Sequence, residues 1–152
     1  TAALAGALTR LLRARGAHVL ELDQPDASLQ AETANEFDAG IYLGLRLENH
    51  SQCRTDYFST VGFHSEGGLR LAHRCANALD RALRIHLEAA TDETVSTTCT
   101  GRRLPILRQT RMPAVLCTLA PASTIVLATA EIADCLASAV TDWLADPTAG
   151  PV

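Results

Sequence analysis

The sequence predicts an α/β fold, a three-layer sandwich around a mostly parallel twisted sheet. Short runs rich in aliphatic and β-branched residues alternate with longer segments of helical periodicity, the pattern of a sheet covered on both faces. Pro, Gly and capping residues separate these runs. The chain has 152 residues, 47% of them hydrophobic, enough for one core and too few for two comfortable domains.

Leu4, Leu8, Leu11 and Leu12 recur at helical spacing, and Gly16 follows as a stop, so residues 2–15 are expected to be helical. "AHVLELD" alternates like a short strand over 17–22. Pro25, Asp26 and Ser28 then supply turn and cap chemistry for a helix over 28–37. Ile41 to Arg46 reads as a strand, "ENHSQCRT" as a polar loop, and "DYFSTVGF" (56–63) as a second strand. Ser65 can cap a long helix whose Leu69, Ala72, Ala76, Leu79 and Leu83 share one stripe. Arg70, Arg74, Arg81 and Arg84 line the other face, and with Asp80 and Glu88 among them this reads as a solvated surface. Residues 89–103 read as a surface loop, "LPIL" as a brief strand, and "AVLCTLA" (114–120) as a buried strand. A closing helix over 124–144 carries Ile132, Leu136, Val140 and Trp143 at helical steps. We place one domain over 1–146 and a tail over 147–152.

All 13 basic residues are Arg, the formal charge is −4, and no aromatic residues interleave with the arginines. That argues against nucleic-acid binding. No apolar run approaches the roughly 18 residues of a membrane span. The five cysteines are odd in number and lack close pairs; Cys75, Cys117 and Cys135 sit in apolar stretches as small hydrophobes, which suits a reducing, cytoplasmic setting. His50-x-x-Cys53 lacks the second close pair of a structural zinc site. His18, His64, His73 and His86 are dispersed, and no nucleophile elbow or phosphate loop is present.

The order of segments resembles a known family. "LTRLLRARGAHVLELD", "AETANEFDAGIYLGLRLEN", "SEGGLRLAHRCANAL" and "LPILRQTRMPAVLCTLAP" are together similar to the zinc-dependent N-acetylmuramoyl-L-alanine amidases (amidase type 3), which cleave peptidoglycan between the lactyl group of the sugar and the stem peptide. The most specific part is "LRQTRMPAVL", similar to the strand that leads to the family's catalytic glutamate. With "GLRLEN" and "ILRQTRMP", the chain looks like a degenerate, CwlM-like member, of the kind that regulates peptidoglycan precursor synthesis by binding protein partners.

The resemblance implies that the strand "IYLGLRLEN" would carry Ser where Gly44 stands and a zinc-binding His where Arg46 stands. It implies a general-base Glu where Thr118 stands. A guanidinium has only donors and keeps its proton, so Arg46 cannot ligate zinc. A threonine hydroxyl cannot serve as the base that activates a metal-bound water. The family's remaining ligands, a His and a Glu, would lie before Thr1, so the first strand either precedes this chain or has been lost.

These departures imply a catalytically inactive amidase-like module with no metal and no cofactor, its pocket formed by Arg46, Glu48 and Thr118. Its partner would be a protein of the precursor pathway or a muropeptide-like ligand. The alternative is an active zinc amidase, at the cell wall, with His50 or Cys53 restoring the metal site. Arg46 is expected to need an acceptor at the end of a buried strand, and strand alternation makes Glu48 a candidate. Whether Arg46 serves a salt bridge or receives an anion stays open.

Overall fold

The computed structural model describes residues 1–49, 52–87 and 96–146. The first helix, α1 (Ala2–Ala14), buries Leu4, Leu8 and Leu12 on one stripe, and Gly16 follows it at φ 90°, as the sequence predicts. α2 (Ala27–Phe37) starts at Asp26, whose carboxylate accepts from the backbone N–H groups of Ser28 at 2.8 Å and Leu29 at 3.1 Å. Those bonds satisfy donors that a helix start would otherwise leave open.

Three strand segments and the long helix follow: β1 (Tyr42–Leu47), β2 (Arg54–Thr60), β3 (Phe63–His64) and α3 (Glu66–Leu87). Ser65 caps α3 through a 3.0 Å bond from Gly68 N–H to its Oγ. The buried stripe of α3 is wider than the predicted one, adding Leu71, Cys75, Ala78 and Ala82 to Ala72, Ala76, Leu79 and Leu83. On its polar side Arg70 pairs with Glu66 at 3.7 Å. β4 (Thr98–Arg102), α4 (Pro105–Gln109), β5 (Ala114–Leu119), α5 (Ala122–Leu127) and α6 (Thr129–Ala145) complete the chain.

The α/β class holds, and the sheet is mixed. Its order is β1-β5-β2-β4, with β1/β5 and β2/β4 parallel, β2/β5 antiparallel, and β3 returning against the end of β2. Strand alternation sends Leu43, Leu45, Leu47, Val115, Cys117 and Leu119 to one face, where α1, α3 and α6 form the main core with Leu71, Leu79, Ile132, Leu136 and Val140. The opposite face carries Tyr42, Ala114, Leu116 and Phe58, covered by Ala31 of α2 and by Ile106 and Leu107 of α4. These are the three layers.

Four expectations are corrected. Residues 17–22 are not a strand: Ala17 and Val19 pack on the core while His18 and Leu20 are exposed, so the alternation is real, but no described strand lies beside them to make a ladder. "LPIL" opens a helix, with Pro105 at its first turn, where a missing N–H costs nothing. The expected loop over 89–103 contains β4, whose Thr98 to Arg102 pair with β2; residues 89–95 lie outside the described residues, as do Glu88, His50 and the tail at 147–152. The closing helix is two helices, with Ala128 ending α5 and leading into α6.

Candidate functional site

β1 and β5 run parallel in a register that sets Arg46 directly beside Thr118. On the other side of β5, the antiparallel register sets Arg54 beside Thr118, and β4 sets Thr98 beside Arg54. Register partners project to the same face, so Arg46, Thr118, Arg54 and Thr98 form one polar row across the sheet. The row lies at the carboxyl ends of β1 and β5, the end at which open α/β sheets hold their ligands. The helices α2 and α4 cover the apolar part of the same face, around Tyr42, Ala114 and Leu116.

Arg46 Nε lies 3.0 Å from Glu48 Oε1. The backbone N–H of Glu48 donates to Leu119 O at 2.9 Å, extending the β1/β5 ladder beyond Leu47 and holding the Glu48 side chain on the face of Arg46. The predicted acceptor is therefore in place. The expectation of a buried guanidinium is corrected: the Arg46 side chain is 47% exposed, near the end of β1, which is an edge strand of the sheet among the described residues.

Three residues of this face escaped the sequence reading. Asp56 is fully buried, and Arg54 Nε lies 3.1 and 3.0 Å from its two carboxylate oxygens, while Arg102 Nη1 approaches at 3.6 Å. The strand was expected to start at Asp56, which left Arg54 in the loop. Extending the alternation back by two residues, through Thr55, would have placed Arg54 and Asp56 on one face.

Gly44 is closely packed. A Cβ on Gly44 would lie 2.9 Å from Leu116 Cδ1 and 3.2 Å from Tyr42 Cε1, so only glycine fits there without movement of its neighbours. Tyr42 is held in that place by its hydroxyl, which donates to Gln30 of α2 at 2.7 Å. Thr118 is 1% exposed, and its Oγ1 has no hydrogen-bond partner among the described residues.

Cys53 faces the core rather than the row. It is 3% exposed, its thiol donates to Ala120 O at 3.4 Å, and burial raises its pKa above the usual thiol value. His50 lies outside the described residues. Among the described residues no three His, Cys, Asp or Glu side chains come together as metal ligands. Around Arg46 and Thr118 lie two guanidiniums, a hydroxyl and the carboxylates of Glu48 and Asp56, each of which faces a guanidinium, a set that does not suit a zinc ion.

Asn35, from the "TAN" that resembles the amidases, ties α2 to the end of α4. Its amide donates to Gln109 O and accepts from Arg111 N–H, each at 2.9 Å. Beside it lies a groove of about 420 Å³ lined by Ser28, Glu32, Glu36 and Arg111, separate from the polar row. No described helix is long and apolar enough to cross a membrane.

No protein family and no curated protein matches the sequence. Solved structures do match in shape. An N-acetylmuramoyl-L-alanine amidase from Clostridium difficile 630 superposes with a TM-score of 0.66 at 16% identity, over 95% of this chain and 81% of that one. The apo form of the amidase Ami1 from Mycobacterium abscessus gives 0.64 at 15%, over 93% and 76%. The CwlD amidase from Clostridioides difficile, in complex with the GerS lipoprotein, gives 0.59 at 12%, over 94% and 83%. At such identities the likeness is one of architecture, and the chain has the fold of the N-acetylmuramoyl-L-alanine amidases.

Proposed function

We propose that this chain is a catalytically inactive amidase-like domain that serves as a binding and regulatory module in peptidoglycan biosynthesis. The observation that carries the reading is the side-by-side register of Arg46 and Thr118. By the resemblance these are the places of a zinc-binding His and a general-base Glu. A cation that never deprotonates and a hydroxyl without basicity supply neither function. Gly44 supports the same reading, since Leu116 and Tyr42 occupy the space a serine would need.

The competing reading, a zinc amidase rebuilt from His50 or Cys53, has less support. Cys53 is buried and hydrogen-bonded to the Ala120 backbone, and burial disfavours its thiolate, the form that binds metal. On our reading the domain acts in the cytoplasm and engages a protein of the precursor pathway or a muropeptide-like ligand. One neighbour of the same fold is seen with a lipoprotein partner, which makes a protein partner compatible with this architecture.

The test is metal content and amide hydrolysis measured on the same preparation. Protein purified without chelators should carry far less than one zinc per chain and release no stem peptide from purified peptidoglycan. Stoichiometric zinc with peptide release proportional to protein concentration would overturn the proposal.

A further inference from the structure

The geometry points to an oxyanion site on the polar row, in which Arg46 and Arg54 flank the Thr118 hydroxyl and receive a carboxylate or phosphate group of a ligand. It rests on the reading of this face as a binding site and adds the chemistry of what it binds.

Charge is the first observation. Arg46, Arg54 and Arg102 bring three guanidiniums to the face, and Glu48 and Asp56 answer with two carboxylates. Arg54 and Arg102 share the carboxylate of Asp56, which leaves one positive charge in excess among these five described residues. A planar guanidinium offers several donors, and an ion pair through Nε leaves its terminal N–H groups able to take an oxyanion. Arg46 pairs through Nε at 3.0 Å, and so does Arg54.

Thr118 is the second, independent observation. Its side chain is 1% exposed, its Oγ1 lacks any hydrogen-bond partner among the described residues, and its register places it between Arg46 and Arg54. A buried hydroxyl left without a protein partner is costly, and a water or a ligand oxygen is what completes such a group. Neighbouring strands are about 4.8 Å apart, so the two arginines start roughly 10 Å from each other with the hydroxyl midway. An oxyanion bridging the two guanidiniums lies over this hydroxyl, which a shift of the half-exposed Arg46 side chain uncovers.

The experiment titrates the whole chain with inorganic phosphate and, separately, with acetate. Ionic strength is fixed with chloride, and the backbone amide of Thr118 and the Nε–H signals of Arg46 and Arg54 are followed by NMR. Saturable shifts confined to this row are expected. Saturation by both anions, with competition between them, supports a general oxyanion site; saturation by one alone assigns the ligand group to that class. Arg46→Gln alters an exposed position, Thr118→Val keeps the side-chain shape, and each should weaken binding by about tenfold with the rest of the spectrum retained.

Shifts that never saturate, or that persist unchanged in both variants, overturn the oxyanion site. Zinc content and amide hydrolysis judge the underlying reading separately. Protein that carries no zinc, cleaves nothing and ignores both anions overturns this inference alone.

Discussion

Arg46 and Glu48 stand two residues apart on one strand face and meet at 3.0 Å, with their side chains 47% and 24% exposed. Water reaches both partners, so the pair is a surface ion pair and not a buried one. Exposed pairs of this kind are typically worth about 0 to 1 kcal/mol. Arg46→Met and Glu48→Gln should therefore each change the urea unfolding free energy by less than about 1 kcal/mol. Arg46→Ala should cost slightly more than Arg46→Met, because the alkyl stem is lost as well. A loss of several kcal/mol in Arg46→Met would mean that the guanidinium holds the strand end together.

Arg54 and Asp56 obey the opposite arithmetic. The Asp56 carboxylate is fully buried, and after Arg54→Met the cation left beside it among the described residues is Arg102, at the longer distance of 3.6 Å. Removing one partner of a buried pair commonly costs about 3 to 5 kcal/mol, since an uncompensated charge is left behind. Arg54→Met should fall in that range, and Asp56→Asn in the same background should recover much of the loss. Chemical denaturation of the two single variants and the double variant measures this coupling. Additive losses would show that Arg54 acts through packing alone.

Gly44 sits against two neighbouring side chains, Leu116 and Tyr42. Because a Cβ there would press on Leu116 Cδ1 at 2.9 Å, and that methyl is the far end of a flexible side chain, Gly44→Ser should destabilise by about 1 kcal/mol, the low end of overpacking costs. Leu116→Ala made together with it should relieve part of that cost. Thermal unfolding of the single and double variants checks the sign. A Gly44→Ser protein as stable as the parent would place the side chains of Leu116 and Tyr42 elsewhere in solution.

Much of the architecture is legible from pattern. The leucine spacing of α1, the Ser65 cap of α3, the β5 run and the Ile132 to Trp143 stripe follow from periodicity and capping, which are local properties. Sheet membership is not local. "AHVLELD" and "LPIL" have strand-like composition, yet the first finds no neighbouring strand among the described residues and the second has a proline that suits a helix start. "TCTGR", by contrast, gains its strand state only from pairing with β2. The candidate site divides the same way. The resemblance to the amidases singles out Arg46 and Thr118. Arg54 and Arg102 reach Asp56 from two strands, a convergence that only the β2/β4 register reveals.

The core cysteines make stability fall on the alkaline side. Cys117 lies well above the usual thiol range, first because its thiol shares a hydrogen bond with Cys75 and then because it is buried. Cys53 and Cys99 are raised chiefly by burial, and Tyr42 is raised by burial among phenols. Each raised pKa means that the folded protein keeps a proton the unfolded chain surrenders, so the folded state binds more protons and stability declines as pH rises. The contribution is fully present below the ordinary thiol value of about 8.5, and it is lost progressively above it, with Tyr42 joining near about pH 10. Urea midpoints in the presence of a reductant should be level near neutrality and drop beyond that point, and Cys117→Ala should flatten the drop while lowering the midpoint at every pH. A parent midpoint that stays level or climbs through this window would contradict the buried, protonated state of these thiols.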